Sequence, residues 1–483
     1  MESTGDSADM NTVSGRKDKR RLIRLIAMFF IFLPLIGYNS GCEAGLGTIP
    51  EPKQVKLGGQ QTSIGPDSDL KIPSSVISAY PAAVSRFQGV LNSLSGANNV
   101  PITVNIFKEK SEGNLSTDVI AALKRKEGYY VEVRSDGIRL IGADELGVLY
   151  GLTTLKKMAV KWGGNIPRGH VLDWPDHKYR LLHITVINLT VKDAKDLIVK
   201  ASESKFNGLI MEIESGWTEL SSLRVQPIRK PELEKPLTKE DLKVILRFAR
   251  ENGLEVIPEL KLLTHQDKFF RRYYPELMYN EWTYDPGKEE TYSVVLPVLD
   301  EIIGIVNPRA FHIGHDEVAG ADPTKKRILN EGEEALPPEL FLKDVLRLHS
   351  YLKERGIETW MWGDMLLGKE EFPEMLQRHL HGASGYADLR GRIPKDIVIV
   401  DWHYADDQSA FPSALAFAES GHRVLGSTWK KEKTIRNFSR YVANMPSGGE
   451  GMVATTWAHV PKKEWAVVDN IIGISADAFW NAR

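Results

Sequence analysis

The chain has 483 residues, of which 42% are hydrophobic, 26% charged and 9% aromatic, an ordinary globular composition. Its 62 Lys and Arg balance 64 Asp and Glu, so it offers no basic footprint and nucleic acid is excluded as the main partner. One cysteine, Cys42, excludes an intrachain disulfide framework and a thiolate metal cluster.

Residues 16–24 form a strongly positive run, and residues 25–37 (LIAMFFIFLPLIG) are 13 almost wholly apolar residues. A spanning helix needs about 20 such residues, so this pattern predicts a secretory signal over 1–42 instead. Asn39-Ser40-Gly41 before Cys42 resembles a bacterial lipoprotein cleavage box, with Asn39 where a leucine is usual. The expectation is an exported protein of the bacterial cell envelope, either lipid-anchored through Cys42 or periplasmic. The competing expectation is an uncleaved anchor with an incidental cysteine. Residues 43–70 are rich in Gly, Pro, Gln and Ser and read as a tether.

Residues 71–170 read as a small α+β domain. Strands are expected at Pro101–Phe107, Gly128–Arg134 and Gly137–Ile141, with helices at Ser116–Arg125 and Glu145–Val160. Over 171–483 the rhythm becomes strand, helix, strand, helix. Eight strands are expected, beginning at Leu181, Gly208, Leu254, Ala310, Glu358, Ile397, Arg423 and Met452. Eight βα units in about 300 residues imply a (β/α)8 TIM barrel of the α/β class. No Gly-rich phosphate turn follows any strand, which argues against an open doubly wound sheet.

Chemistry in such a barrel sits at the C-terminal strand ends. Those ends carry Glu212, Glu214 and Trp217; His265; Asp316 and Glu317; Trp360, Trp362 and Asp364; Trp402; Trp429; Trp457 and His459. Indole walls with a few carboxylates suit a sugar, whose apolar faces stack and whose hydroxyls need fixed partners.

Three segments resemble family 20 glycoside hydrolases, the β-N-acetylhexosaminidases. They are Ile141-Gly-Ala-Asp-Glu-Leu-Gly-Val-Leu-Tyr150, Gly253-Leu-Glu-Val-Ile-Pro-Glu-Leu leading to His265, and His312-Ile-Gly-His315-Asp316-Glu317. The resemblance implies removal of a terminal β-linked N-acetylhexosamine, with the substrate's own acetamide as nucleophile and no cofactor or metal. It implies that Asp316 orients the acetamide and that Glu317 is the general acid and base. His265, Trp362, Trp402, Trp457, Glu214 and Asp364 would bind the sugar of an N-acetylated glycan.

Four departures from the family pattern stand out. The family's arginine after the first barrel strand falls near Asn188, its second signature glycine is His315, and its glutamate two residues after Trp457 is His459. Its acetamide-binding tyrosine has no clean match, although Trp429 is near. His315, beside the catalytic pair, is expected to contribute to the acid limb of the pH–rate profile; the alternative, from strand alternation, is that it points into the helix layer. Two alternatives follow from the same residues. One is a weak or inactive carbohydrate-binding barrel. The other is a metal-dependent hydrolase using His183, His265, His315, His403 and His459.

Overall fold

A computed structural model describes residues 46–95, 100–109, 115–187, 189–213, 218, 220–222, 237–267, 269–318, 320, 329–382, 385–457 and 465–482. The expectations for 1–45, Cys42 included, and for Asn188, Glu214, Trp217 and His459 lie outside the described residues. No helix among those described is long and apolar enough to cross a membrane.

The first domain is a six-stranded sheet in the order β1-β6-β4-β5-β3-β2. Its strands are β1 (Gln54–Ser63), β2 (Leu70–Lys71), β3 (Ile102–Ile106), β4 (Tyr129–Val133), β5 (Ile138–Gly142) and β6 (Asn165–Asp173). The helix Glu145–Lys161 packs on it through Val148, Leu152, Leu155 and Met158, a 3.6-residue apolar stripe. The tether expected at 43–70 is corrected here, because it contains β1. That strand is largely exposed and Gly/Gln-rich, so it has no apolar alternation to betray it. Antiparallel backbone pairing with β6 holds it instead.

The second domain is a closed parallel barrel of β7 (Tyr179–Thr185), β8 (Gly208–Glu212), β9 (Glu255–Leu262), β10 (Ala310–Gly314), β11 (Glu358–Trp362), β12 (Val398–Trp402), β13 (Arg423–Thr428) and β14 (Gly449–Thr455). All eight expected strands are present, and β14 pairs with β7 to close the ring. The outer helices follow local rules. Thr238 and Asp241 form a capping box at the start of Lys239–Arg250, whose buried Leu242, Ile245, Leu246 and Ala249 share one face. Between β11 and β12 three short 3-10 turns replace the usual helix.

Buried charge joins the two domains. Arg180, at the start of β7, donates to Glu127 at 2.5 Å and to the Tyr150 hydroxyl at 3.2 Å. Lys205 donates to Asp173 at 2.9 Å, and Trp480 donates to the same carboxylate at 2.8 Å. Both cations are almost fully buried, so each needs its carboxylate in place, and the pairs fix the sheet against the barrel.

Candidate active site

Alternation along the barrel strands sends every second side chain inward, and these stack in layers. The lower layer is apolar, with Leu181, Ile210, Ile257, Trp360, Leu425 and Val453. Trp360 therefore belongs to the barrel core, not to a sugar-binding wall. One pleat further along, the inward positions become His183, Glu212, Glu259, His312, Trp362 and Trp402. That polar layer is the floor of the site.

Above it, the strands break into loops carrying the expected catalytic groups. Gly314 has φ +76°, and a Cβ there would lie 3.2 Å from the Leu262 backbone nitrogen. His315 and Glu317 also have positive φ, at 71° and 52°. Leu263, His265 and Trp457 share this left-handed backbone, so such strain concentrates at the barrel mouth. This irregular path turns Asp316 and Glu317 toward one partner. His265 Nε2 lies 3.1 Å from Asp316 Oδ2 and 3.9 Å from Glu317 Oε2.

Asp364, which follows β11, locks this arrangement. Its Oδ2 accepts the Glu317 backbone N–H at 2.8 Å, and its Oδ1 accepts the Trp402 indole N–H at 3.2 Å. Burial, and then the negative charge of Asp316, push its carboxyl well above the usual range. The folded protein therefore holds this proton where the unfolded chain releases it, so Asp364 makes stability fall as pH rises above about 4. Asp364→Asn should flatten part of that decline in melting temperature between pH 4 and 8. An unaltered slope would show that Asp364 is not held protonated.

The floor is equally ordered. Glu259 accepts from the Trp362 indole N–H at 2.9 Å, and its other oxygen lies 2.7 Å from His183 Nε2. Burial alone would raise this carboxyl, but the His312 and His183 rings hold it well below the usual range. The Trp362 and Trp457 rings approach within 6.3 Å, and Trp402 packs on Tyr404 at 4.8 Å. The Tyr404 ring also meets Trp457 edge-on at 6.4 Å. Burial, then the nearby Asp316 and Glu317 charges, raise the Tyr404 hydroxyl above its usual range.

Sequence reasoning assigned no role to Glu259, Lys261 or Tyr404. For Glu259 and Lys261 the available signal was a pair of charged residues at alternate, inward positions in the second half of β9, which a purely structural strand has no reason to carry.

His315 turns away from this site. Its Nε2 lies 3.0 Å from Asp344, a carboxylate that also accepts from the Tyr284 and Tyr292 hydroxyls. Its ring packs edge-on against Phe341 in the helix layer. Of its two expectations, the structural one fits this placement. Asn also tolerates positive φ but is too short to keep the Asp344 contact. His315→Asn should therefore lower stability by about 1–3 kcal/mol and leave the pH–rate profile unmoved. A shifted acid limb would restore the functional reading.

Among the described residues, His183, His265, His315 and His403 of the metal-dependent reading do not converge on one group of potential ligands. His403 is buried against Asp401, Asp406 and Ser413, apart from His265. Two trios, His183–Glu212–Glu259 and His265–Asp316–Glu317, do bring ligand atoms within 4.8 Å of one another. In the first, the Lys261 ammonium already stands 2.7 Å from Glu212 and supplies positive charge there. A cavity of about 490 Å³ lined by Tyr80, Lys126, Tyr179, Arg250 and Arg309 lies at the opposite ends of the strands and contains none of these groups.

With this geometry in view, comparison with known proteins is decisive for the family. Residues 46–174 match the model of glycosyl hydrolase family 20, domain 2, and residues 211–431 match that family's catalytic domain. The chain belongs to glycosyl hydrolase family 20. Lacto-N-biosidase of Bifidobacterium bifidum is 23% identical over 325 residues, covering 63% of this chain and 28% of that protein. A β-hexosaminidase of Porphyromonas gingivalis is 24% identical over 426 residues, covering 79% and 50%. The chain thus spans about half or less of the length of these curated relatives. The solved β-N-acetylhexosaminidase of Bacteroides fragilis shares the fold with a TM-score of 0.66 at 20% identity, covering 90% of this chain and 91% of that one. The family 20 match extends to residue 46, which agrees with β1 belonging to the first domain.

Proposed function

We propose that this family 20 chain is a retaining glycosidase that removes a terminal β-linked N-acetylhexosamine from an N-acetylated glycan. The observation that carries this reading is the His265–Asp316–Glu317 cluster, with Glu317 fixed through its backbone to Asp364. Glycoside cleavage needs a proton donor at the leaving oxygen and a stabiliser of an oxocarbenium-like transition state. Glu317 is the donor. Asp316 supports the substrate's acetamide as its oxygen attacks the anomeric carbon, and water then opens the cyclic intermediate with Glu317 as base. The names of the related hexosaminidases support the same chemistry. Aryl β-N-acetylhexosaminides test it: turnover should release the β-anomer first, seen by proton NMR. An α-anomer as first product, or no turnover across a gluco and galacto panel, overturns it.

The same protein is exported and anchored through a lipid on Cys42. The support is the basic run, the short apolar segment and the small residues before that cysteine. Mass spectrometry of the mature N-terminus checks this, with diacylglycerol on Cys42 expected and an intact leader counting against it.

A further inference from the structure

The inward row of β9 runs Ile257, Glu259, Lys261, from the apolar core through the polar floor to the mouth of the site. Lys261 is the last of these. Its side chain is 22% exposed while its partner Glu212, at 2.7 Å, is 1% exposed, so a partly open side chain carries its ammonium against a buried carboxylate. Nζ also lies 5.5 Å from the centre of the Trp457 ring. Burial opposes its charge, but Glu212, Asp316 and Glu259 together raise Lys261 above its usual range, so it is cationic at any working pH.

Glu212 is a weak structural element by itself. Neither of its carboxylate oxygens makes a hydrogen bond of good geometry among the described residues, and Lys261 is the cation beside it. A buried pair of this kind generally adds little stability over apolar side chains of the same size. At the border of the reacting groups it does something an apolar pair does not. It holds an ammonium, a group with three N–H donors, 5.5 Å from the centre of an indole ring and within the field of Asp316.

We propose that Lys261 is a substrate-binding residue, held by Glu212, which donates to a hydroxyl of the terminal sugar as that sugar lies against Trp457. This rests on the hydrolase reading and adds a specificity to it. Lys261 is already offset by Glu212, and Asp316 and Glu259 add further negative charge. The subsite therefore favours a neutral, hydroxyl-bearing aminosugar over a sulfated or uronic one.

Lys261→Met leaves Glu212 buried without its cation, so the double variant Lys261→Met/Glu212→Gln is tested beside it. KM for an aryl β-N-acetylhexosaminide should rise about ten- to a hundredfold in both, the range for a hydrogen bond to a charged group, with kcat changed far less. Lys261→Arg should recover most of the loss. With 3-, 4- and 6-deoxy substrates, one analogue should bind poorly to the wild type yet lose nothing further in the double variant. Sulfated substrate should be a poorer substrate than its neutral parent for the wild type. Wild-type turnover with KM unchanged in the folded double variant, or all three analogues losing equally in both proteins, overturns the Lys261 assignment alone. A preference for the sulfated sugar overturns the specificity. A wild type that turns over no N-acetylhexosaminide overturns the hydrolase reading and this inference with it.

Discussion

Glu317→Gln should lose about 10²–10⁴-fold in turnover on substrates with poor leaving groups, with KM nearly unchanged. Gln keeps the shape of the side chain, and the backbone N–H of residue 317 still donates to Asp364, so the loop stays in place. What disappears is the proton delivered to the departing oxygen. The loss should therefore shrink steeply as the leaving group becomes more acidic, and a dinitrophenyl glycoside should retain most of its rate at the glycosylation step. Parallel rate measurements on alkyl, nitrophenyl and dinitrophenyl N-acetylhexosaminides check this. A uniform loss across the series would mean that Glu317 positions substrate and does not protonate it.

The fold was legible because both of its periods are strong. Barrel strands buried on both faces are near-continuous apolar runs, and the outer helices carry clean 3.6-residue stripes. Strand β1 was not legible, because an exposed edge strand is held by backbone pairing, which leaves no mark on side-chain pattern. The catalytic pair was legible as a motif, Asp316-Glu317 after a strand-ending glycine. Its supports were less so. Asp364 was visible as a strand-end carboxylate, but its hold on the Glu317 backbone is a contact across 47 residues that no spacing encodes. His315 shows the opposite failure. Sequence adjacency to the catalytic pair suggested a shared pocket, yet with φ at +71° its ring reaches Asp344 in the helix layer. Strand alternation was the better guide, because with His312 inward on β10 the third residue along faces the helix layer.

Asp316→Asn should cost about 10²–10³-fold in turnover for an electrostatic reason. As the acetamide oxygen closes on the anomeric carbon, positive charge develops on an oxazolinium ring. Asp316, beside His265 at 3.1 Å, is the carboxylate placed to support it. A thiazoline mimic of that ring should bind the wild type tightly and the variant far more weakly, while the product sugar loses little. If the thiazoline binds both proteins equally, the charge of Asp316 is not what supports the ring. The same variant carries a second readout. Asp316 is the principal charge raising the Asp364 carboxyl, so its removal lets Asp364 ionise at lower pH in the folded protein. The window over which the folded state holds an extra proton then narrows from its upper end, and the fall of melting temperature with rising pH becomes shallower. Loss of thiazoline binding with an unchanged slope would separate the two roles. It would leave Asp316 as the support of the acetamide and assign the raised Asp364 to burial and the Glu317 charge.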